Sequence, residues 1–120
     1  MNKSEVTKLS NQVIKKIIDY YGLSKHFKTT PFLIIEDSPY SDAEDDECIG
    51  EFCAMFNELI IYWKNIKNET ELVKSLVHEY QHYLQSPSWM TRYYNMGYDY
   101  SNHPYEVQAY SEEENYKIFM

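Results

Sequence analysis

The chain has 120 residues, room for one hydrophobic core and not for two. Its 19 Asp and Glu against 11 Lys and Arg give a formal net charge of −8, and 17% of its residues are aromatic. That aromatic content excludes a disordered acidic tail. The charge argues against nucleic acid or an anionic membrane surface as partner, because both require a basic footprint.

Ser4 can cap a first helix, in which Val6, Leu9, Val13, Ile14, Ile17, Ile18, Tyr20 and Tyr21 recur at helical spacing before Gly22 stops it. Pro31 then opens Phe32-Leu33-Ile34-Ile35, an apolar run without alternation that reads as a strand buried on both faces. The segment from Glu36 to Glu51 holds eight acids and no Lys or Arg, so the excess negative charge is local to it. It reads as a long loop, either functional or mobile. The leading reading is a solvated, partly disordered lid that flanks the cleft; the alternative is a segment that favours basic substrates or partners, and it lacks the spacing of an EF-hand calcium loop.

Phe52–Met55 and Leu59–Trp63, with Phe56-Asn57-Glu58 as the turn, predict a β-hairpin. Asn68 or Thr70 can cap the next helix, which runs to about Gln85 before Pro87. Ser88 to Tyr100 fits a short helix and a loop through Gly97. A last helix starts at His103-Pro104, with Pro104 in its first position. Cys48 and Cys53 read as free thiols in a reducing compartment. No apolar h-region opens the sequence and no run approaches the roughly 20 apolar residues of a membrane span. A soluble, cytoplasmic monomer is expected.

One motif carries chemistry. His78-Glu79-Tyr80-Gln81-His82 matches H-E-x-x-H inside a helix. A random order of this composition would contain it on the order of 0.01 times. At about 100° per residue the two histidines lie one turn apart on one face and can reach one ion. Glu79 sits beside that face, placed to hydrogen-bond a water on the ion without ligating it. Leu72, Val73, Leu76, Val77, Tyr80, Tyr83 and Leu84 occupy the opposite arc. The bland alternative is a pair of surface histidines beside a glutamate.

A catalytic zinc site takes three protein ligands and keeps one open position. Asp99, His103, Glu106, Glu112, Glu113 and Glu114 are the downstream candidates for the third. Glu106 is preferred, in the first turn of the last helix where its carboxylate can point across at His78 and His82; the competing reading is an acid that complements the helix dipole. His103 is the second choice. Glu112, Glu113 and Glu114 read as a solvated face, of which Glu113 lies two turns from Glu106 on its side and could support a ligand.

This arrangement resembles the zincin metallopeptidases, gluzincin branch. Its element order is similar to that of minimal single-domain gluzincins and of the ImmA/IrrE-type metallopeptidases of phages and mobile elements. Glu106-Val107-Gln108-Ala109 matches the Glu-x-x-Ala context of their third ligand. The resemblance implies an α+β, zincin-like fold: an N-terminal helix, a small three-stranded sheet with a hairpin, the H-E-x-x-H helix and a C-terminal glutamate helix. It implies Zn2+ on His78, His82 and Glu106, with Glu79 as general base, and hydrolysis of a protein or peptide substrate. It also implies an edge strand above the cleft that pairs with the peptide, either Phe52–Met55 or Leu59–Trp63. Tyr98, Tyr105, Tyr110 and His103 are candidate donors to the oxyanion, Tyr110 and His103 foremost. Tyr110 stands where the thermolysin-like pattern has an Asp, and no Gly follows His82 at the metzincin position. A reading of another class is an acidic protein-interaction or inhibitor module with a vestigial or structural metal site.

Overall fold

The computed structural model describes residues 1–39, 48–99 and 102–120. These build an α+β arrangement of four α-helices and a three-stranded mixed sheet. Residues 40–47, half of the acidic segment, lie outside the described residues, and with them the reading of a loop beside the cleft; the bounds of that loop are corrected at both ends, since Glu36 ends one strand and Gly50 and Glu51 begin the next.

Helix α1 spans Lys3–Tyr21. Asn2, not Ser4, caps it. The Asn2 side chain accepts from the Glu5 amide at 2.8 Å while Glu5 Oε1 accepts from the Asn2 amide at 3.0 Å. This reciprocal pair needs a carboxylate three residues after the cap, which Ser4 lacks, since Thr7 stands there. Gly22 ends the helix at φ 79°, a left-handed backbone suited to glycine. The Tyr80 hydroxyl donates to the Gly22 carbonyl and fixes that end.

Strands β1 (Phe32–Glu36), β2 (Gly50–Cys53) and β3 (Glu58–Tyr62) form a sheet in the order β1-β3-β2. β1 runs parallel to β3 and β2 antiparallel to it. The expectation of a first strand buried on both faces is corrected: Phe32 is exposed and the rest of β1 half-buried, because β1 is an edge strand. The hairpin holds with its bounds shifted toward the N-terminus: the first strand begins at Gly50 and not Phe52, and Glu58, expected in the turn, opens the second. Met55 falls outside it, exposed, and Asn57 turns the chain at φ 52°. Trp63 passes into a short 3-10 turn, Trp63–Asn65. Of the two edge-strand candidates, the second is β3, which is the central strand; among the described residues the edge on the hairpin side belongs to β2.

Helix α2 spans Glu69–Leu84, capped by Asn68, whose side chain accepts from the Glu71 amide at 2.9 Å. It packs on α1, β2 and β3. Leu72, Val73, Leu76, Val77, Tyr80 and Tyr83 are almost completely buried against Val6, Val13 and Ile17 of α1 and Leu59 and Ile61 of β3. Neither cysteine is in a disulfide, and both are half-buried. No helix among the described residues is long and apolar enough to cross a membrane.

The sheet meets α2 closely at Gly50, which pairs with Ile61. A Cβ there would lie 2.6 Å from Ser75 Oγ, 3.1 Å from Ile61 Cδ1 and 3.2 Å from the Ile60 carbonyl. Gly50→Ala is therefore expected to lower unfolding free energy by about 1–3 kcal/mol. Because Ser75 Oγ is the nearest obstacle, Ser75→Ala should recover more than half of that loss. Chemical denaturation of both variants reads it; an equal loss in the two backgrounds would assign the crowding to the Ile60 backbone instead.

Candidate metal centre

Helix α3 spans Pro87–Asn95, and helix α4 spans Pro104–Glu113. A 3-10 turn, Tyr116–Phe119, follows α4 and sends Phe119 into the core. α4 packs along α2. Pro104 occupies the first turn, where its missing N–H is no loss. Glu106 is consequently held in the first turn, its amide bonded to the His103 carbonyl at 2.9 Å, and its side chain crosses to α2.

His78, Glu79, His82 and Glu106 are all buried, none more than 8% exposed. One ligand-type atom from each of His78, Glu79 and His82 falls within 4.8 Å of the others, so this buried group could hold a metal ion. Glu106 comes closer still: its two carboxylate oxygens lie 3.2 Å from His78 Nε2 and 2.6 Å from His82 Nε2. The other ring nitrogens point outward. His78 Nδ1 is 3.0 Å from Glu113 Oε2, and His82 Nδ1 is 2.8 Å from Gln85 Oε1. A carboxylate and an amide oxygen only accept, so both Nδ1 atoms are N–H donors. In the neutral rings both Nε2 lone pairs then face the Glu106 carboxylate. Such a set is stable only around positive charge, supplied by protons on the rings or by one cation among them. Among the described residues, the ion pairs at Glu106 and Glu113 come from these histidines alone.

The fit to zinc is direct in kind and partial in spacing. Two imidazole nitrogens and a carboxylate oxygen are a usual zinc donor set, and ligand atoms of a tetrahedral site at bonds of about 2.0–2.1 Å stand roughly 3.3 Å apart. The His78–Glu106 spacing of 3.2 Å agrees. The 2.6 Å between His82 and Glu106 is a hydrogen-bond distance, one that holds a proton where a zinc ligand set would hold the ion.

The electrostatics follow from this crowding. Burial alone would lower the His78 pKa, but the Glu106 and Glu113 carboxylates outweigh it and hold it at about 10. Burial would raise that of Glu106, but hydrogen bonds from His78 and His82 bring it down to about 2. Glu79 is pushed up, chiefly by burial, against the pull of both imidazoles.

Glu79 and His78 line a cavity of about 330 Å³ together with Gly50, Ser75, Tyr110 and Glu113. The cavity thus opens between α2, the start of β2 and the outer turns of α4. Tyr110 stands with its ring edge toward His78, centroids 4.5 Å apart, and its hydroxyl pKa is raised by burial and by Glu106, Glu113 and Glu79. Tyr105 stacks on His82 at 4.1 Å, its hydroxyl raised by burial and by Glu79 and Glu106. Both phenols therefore keep their protons and remain donors. A second cavity of about 350 Å³, walled by Met90, Thr91 and Tyr94 of α3, borders Tyr105 and Glu106 on the far side.

Other candidates are engaged elsewhere. His103 is buried at the N-cap of α4: its Nδ1 accepts from the Tyr105 amide at 3.1 Å and its Nε2 donates to the Met90 carbonyl at 3.2 Å. Both nitrogens are used to clasp α3 onto α4. Tyr98 packs against Tyr93 and His103. Glu112 accepts from the Tyr21 hydroxyl at 2.8 Å and ties α4 to α1. Asp99 and Glu114 are exposed. Glu113 leaves the expected solvated face and supports His78. Seven residues after Glu106, it supplies the carboxylate for which the residue at Tyr110 has no acid. Gln85, read only as a helix end, is the supporting residue that sequence reasoning missed; its three-residue offset from His82 was the available signal.

No family model matches the chain, and no curated protein and no solved structure matches it either.

Proposed function

We propose that the protein is a zinc-dependent metallopeptidase of the gluzincin kind. The observation that carries the reading is the convergence of His78 Nε2, His82 Nε2 and the Glu106 carboxylate, with both Nδ1 atoms turned to outward acceptors. His78, His82 and Glu106 would hold the ion. The element order supports the zincin likeness: helix, strand, hairpin, H-E-x-x-H helix and, after the short α3, the glutamate helix.

Zinc, when bound, supplies a water of lowered pKa, near ~7, and polarises a carbonyl. The chain's own residues do the rest. Glu79, whose pKa burial raises, would take the proton of the attacking water and later deliver it to the leaving amine. Tyr110, which lines the cleft beside His78, would be the protonated donor to the developing oxyanion, while Tyr105 stacks on His82 at the second cavity. β2, an edge strand among the described residues, begins at Gly50 in the wall of the cleft and suits an extended peptide that adds as a strand. The substrate is accordingly a peptide or an unstructured protein segment.

Purified protein is expected to carry about one zinc per chain. It is expected to cleave an unstructured protein such as denatured casein, to lose that activity to a chelator and to regain it with zinc. Protein without any transition metal, whose stability and activity zinc leaves unchanged, overturns the reading. Tight binding of a partner protein without cleavage would favour an interaction module instead.

A further inference from the structure

Gln85 does more than end α2. Its amide closes the helix on the Gln81 carbonyl at 3.0 Å, and its side chain folds back so that Oε1 lies 2.8 Å from His82 Nδ1. Its Nε2 donates to the backbone carbonyl of Tyr105 at 3.0 Å and to Gln108 Oε1. Gln108 Nε2 in turn donates to Gln81 Oε1 at 3.3 Å, and Gln81 Nε2 to the Val77 carbonyl at 3.3 Å.

Three side-chain amides thus run in one sense between two backbone carbonyls, which can only accept. Reversing Gln85 would set its oxygen against Tyr105 O; reversing Gln81 would do the same at Val77 O. Each leaves a buried polar group unsatisfied, at about 1–3 kcal/mol. Gln81 and Gln85 are buried, 2% and 8% exposed, so water does not readily substitute.

We infer that Gln85, oriented by Gln108 and Gln81, is a positioning residue that locks His82 as the Nδ1–H tautomer and so presents its Nε2 lone pair to a metal ion shared with His78 and Glu106. The inference rests on the metal reading above. It also distinguishes the two histidines: His78 is oriented by the carboxylate of Glu113, His82 by a neutral amide whose direction is set by the Tyr105 carbonyl and Gln108.

The test uses the full chain and zinc alone. Zinc affinity is measured by competition with a chromophoric chelator, and the His82 Nδ1–H proton is followed by ¹⁵N-edited NMR of the zinc-loaded protein. Gln85→Met keeps length and removes the acceptor. It is expected to weaken zinc binding 10- to 100-fold and to lose the exchange-protected Nδ1–H signal. Gln85→Glu restores an acceptor and should recover most of the affinity. Gln108→Leu, out of contact with His82, should weaken zinc binding by about tenfold and serves if Gln85→Met does not fold. Wild-type affinity with an unchanged Nδ1–H signal in Gln85→Met, or in Gln108→Leu where that is the folded variant, overturns this inference alone. A wild type that binds no zinc overturns the metal reading, and this inference with it.

Discussion

Glu79→Gln is expected to reduce peptide hydrolysis by about 10²–10⁴-fold while zinc stays bound. The amide is isosteric and can still hydrogen-bond a water, but it cannot accept the proton. Glu79 is buried beside the histidines, and the carboxylate within 3.2 Å of both Nε2 atoms is that of Glu106. The companion variant separates the roles. Glu106→Ala should cost about a quarter of the 10–16 kcal/mol typical of a four-ligand zinc site, a loss in affinity on the order of 10²–10³-fold. Glu113→Ala, which removes only an outer partner of His78, should weaken zinc by 10- to 100-fold. Chelator competition ranks the three. If Glu79→Gln releases zinc as readily as Glu106→Ala does, then Glu79 is a ligand and the two glutamates do not divide base and ligand between them.

The contrast among these glutamates shows what the sequence made legible. A fixed helical period places His78, Glu79 and His82, so five consecutive residues suffice to define their faces. Glu106 was legible through its place in the first turn of a helix marked by Pro104. Helix starts and stops were readable to within a residue or two because caps are local chemistry. Asn68 and Gly22 act as expected, and Asn2 displaced Ser4 only through a side chain three residues on. What stayed hidden is set by tertiary packing. The exposure of β1 depends on which strand lies at the sheet edge, and no periodicity in Phe32–Ile35 encodes it. Likewise His103 could ligate by type, yet its position at the N-cap beside α3 consumes both nitrogens. Glu113 and Gln85 became visible as supports only when α4 was laid along α2.

The buried cluster also predicts opposite pH responses for metal-free and zinc-loaded protein. Without metal, His78 is held at about 10 in the fold against an ordinary 6.5, because Glu106 and Glu113 outweigh the burial that would lower it. A raised pKa means the folded state keeps a proton that the unfolded chain releases, so this stabilisation is complete below 6.5 and is lost as pH climbs toward 10. Glu106, brought down to about 2 by the two imidazoles against an ordinary 4.5, contributes above 4.5 and loses its share as pH falls toward 2. Both shifts express the same contact, so the metal-free cluster stabilises most between about pH 4.5 and 6.5. Zinc needs those ring nitrogens free of protons, so its hold strengthens over the range in which the proton's hold fades. At zinc near 100 times its dissociation constant, the stabilisation is about 3 kcal/mol, or roughly 8–15 °C in melting temperature for a chain of this length. Chelated protein is therefore expected to melt several degrees lower at pH 9 than at pH 6, and the gap opened by zinc to be wider at pH 8 than at pH 6. Scanning calorimetry with chelator and with zinc across that range reads both. A chelated protein whose melting point rises toward pH 9 would mean that Glu106 and Glu113 do not hold a proton on His78. A zinc gap independent of pH would mean that the ion binds without displacing one.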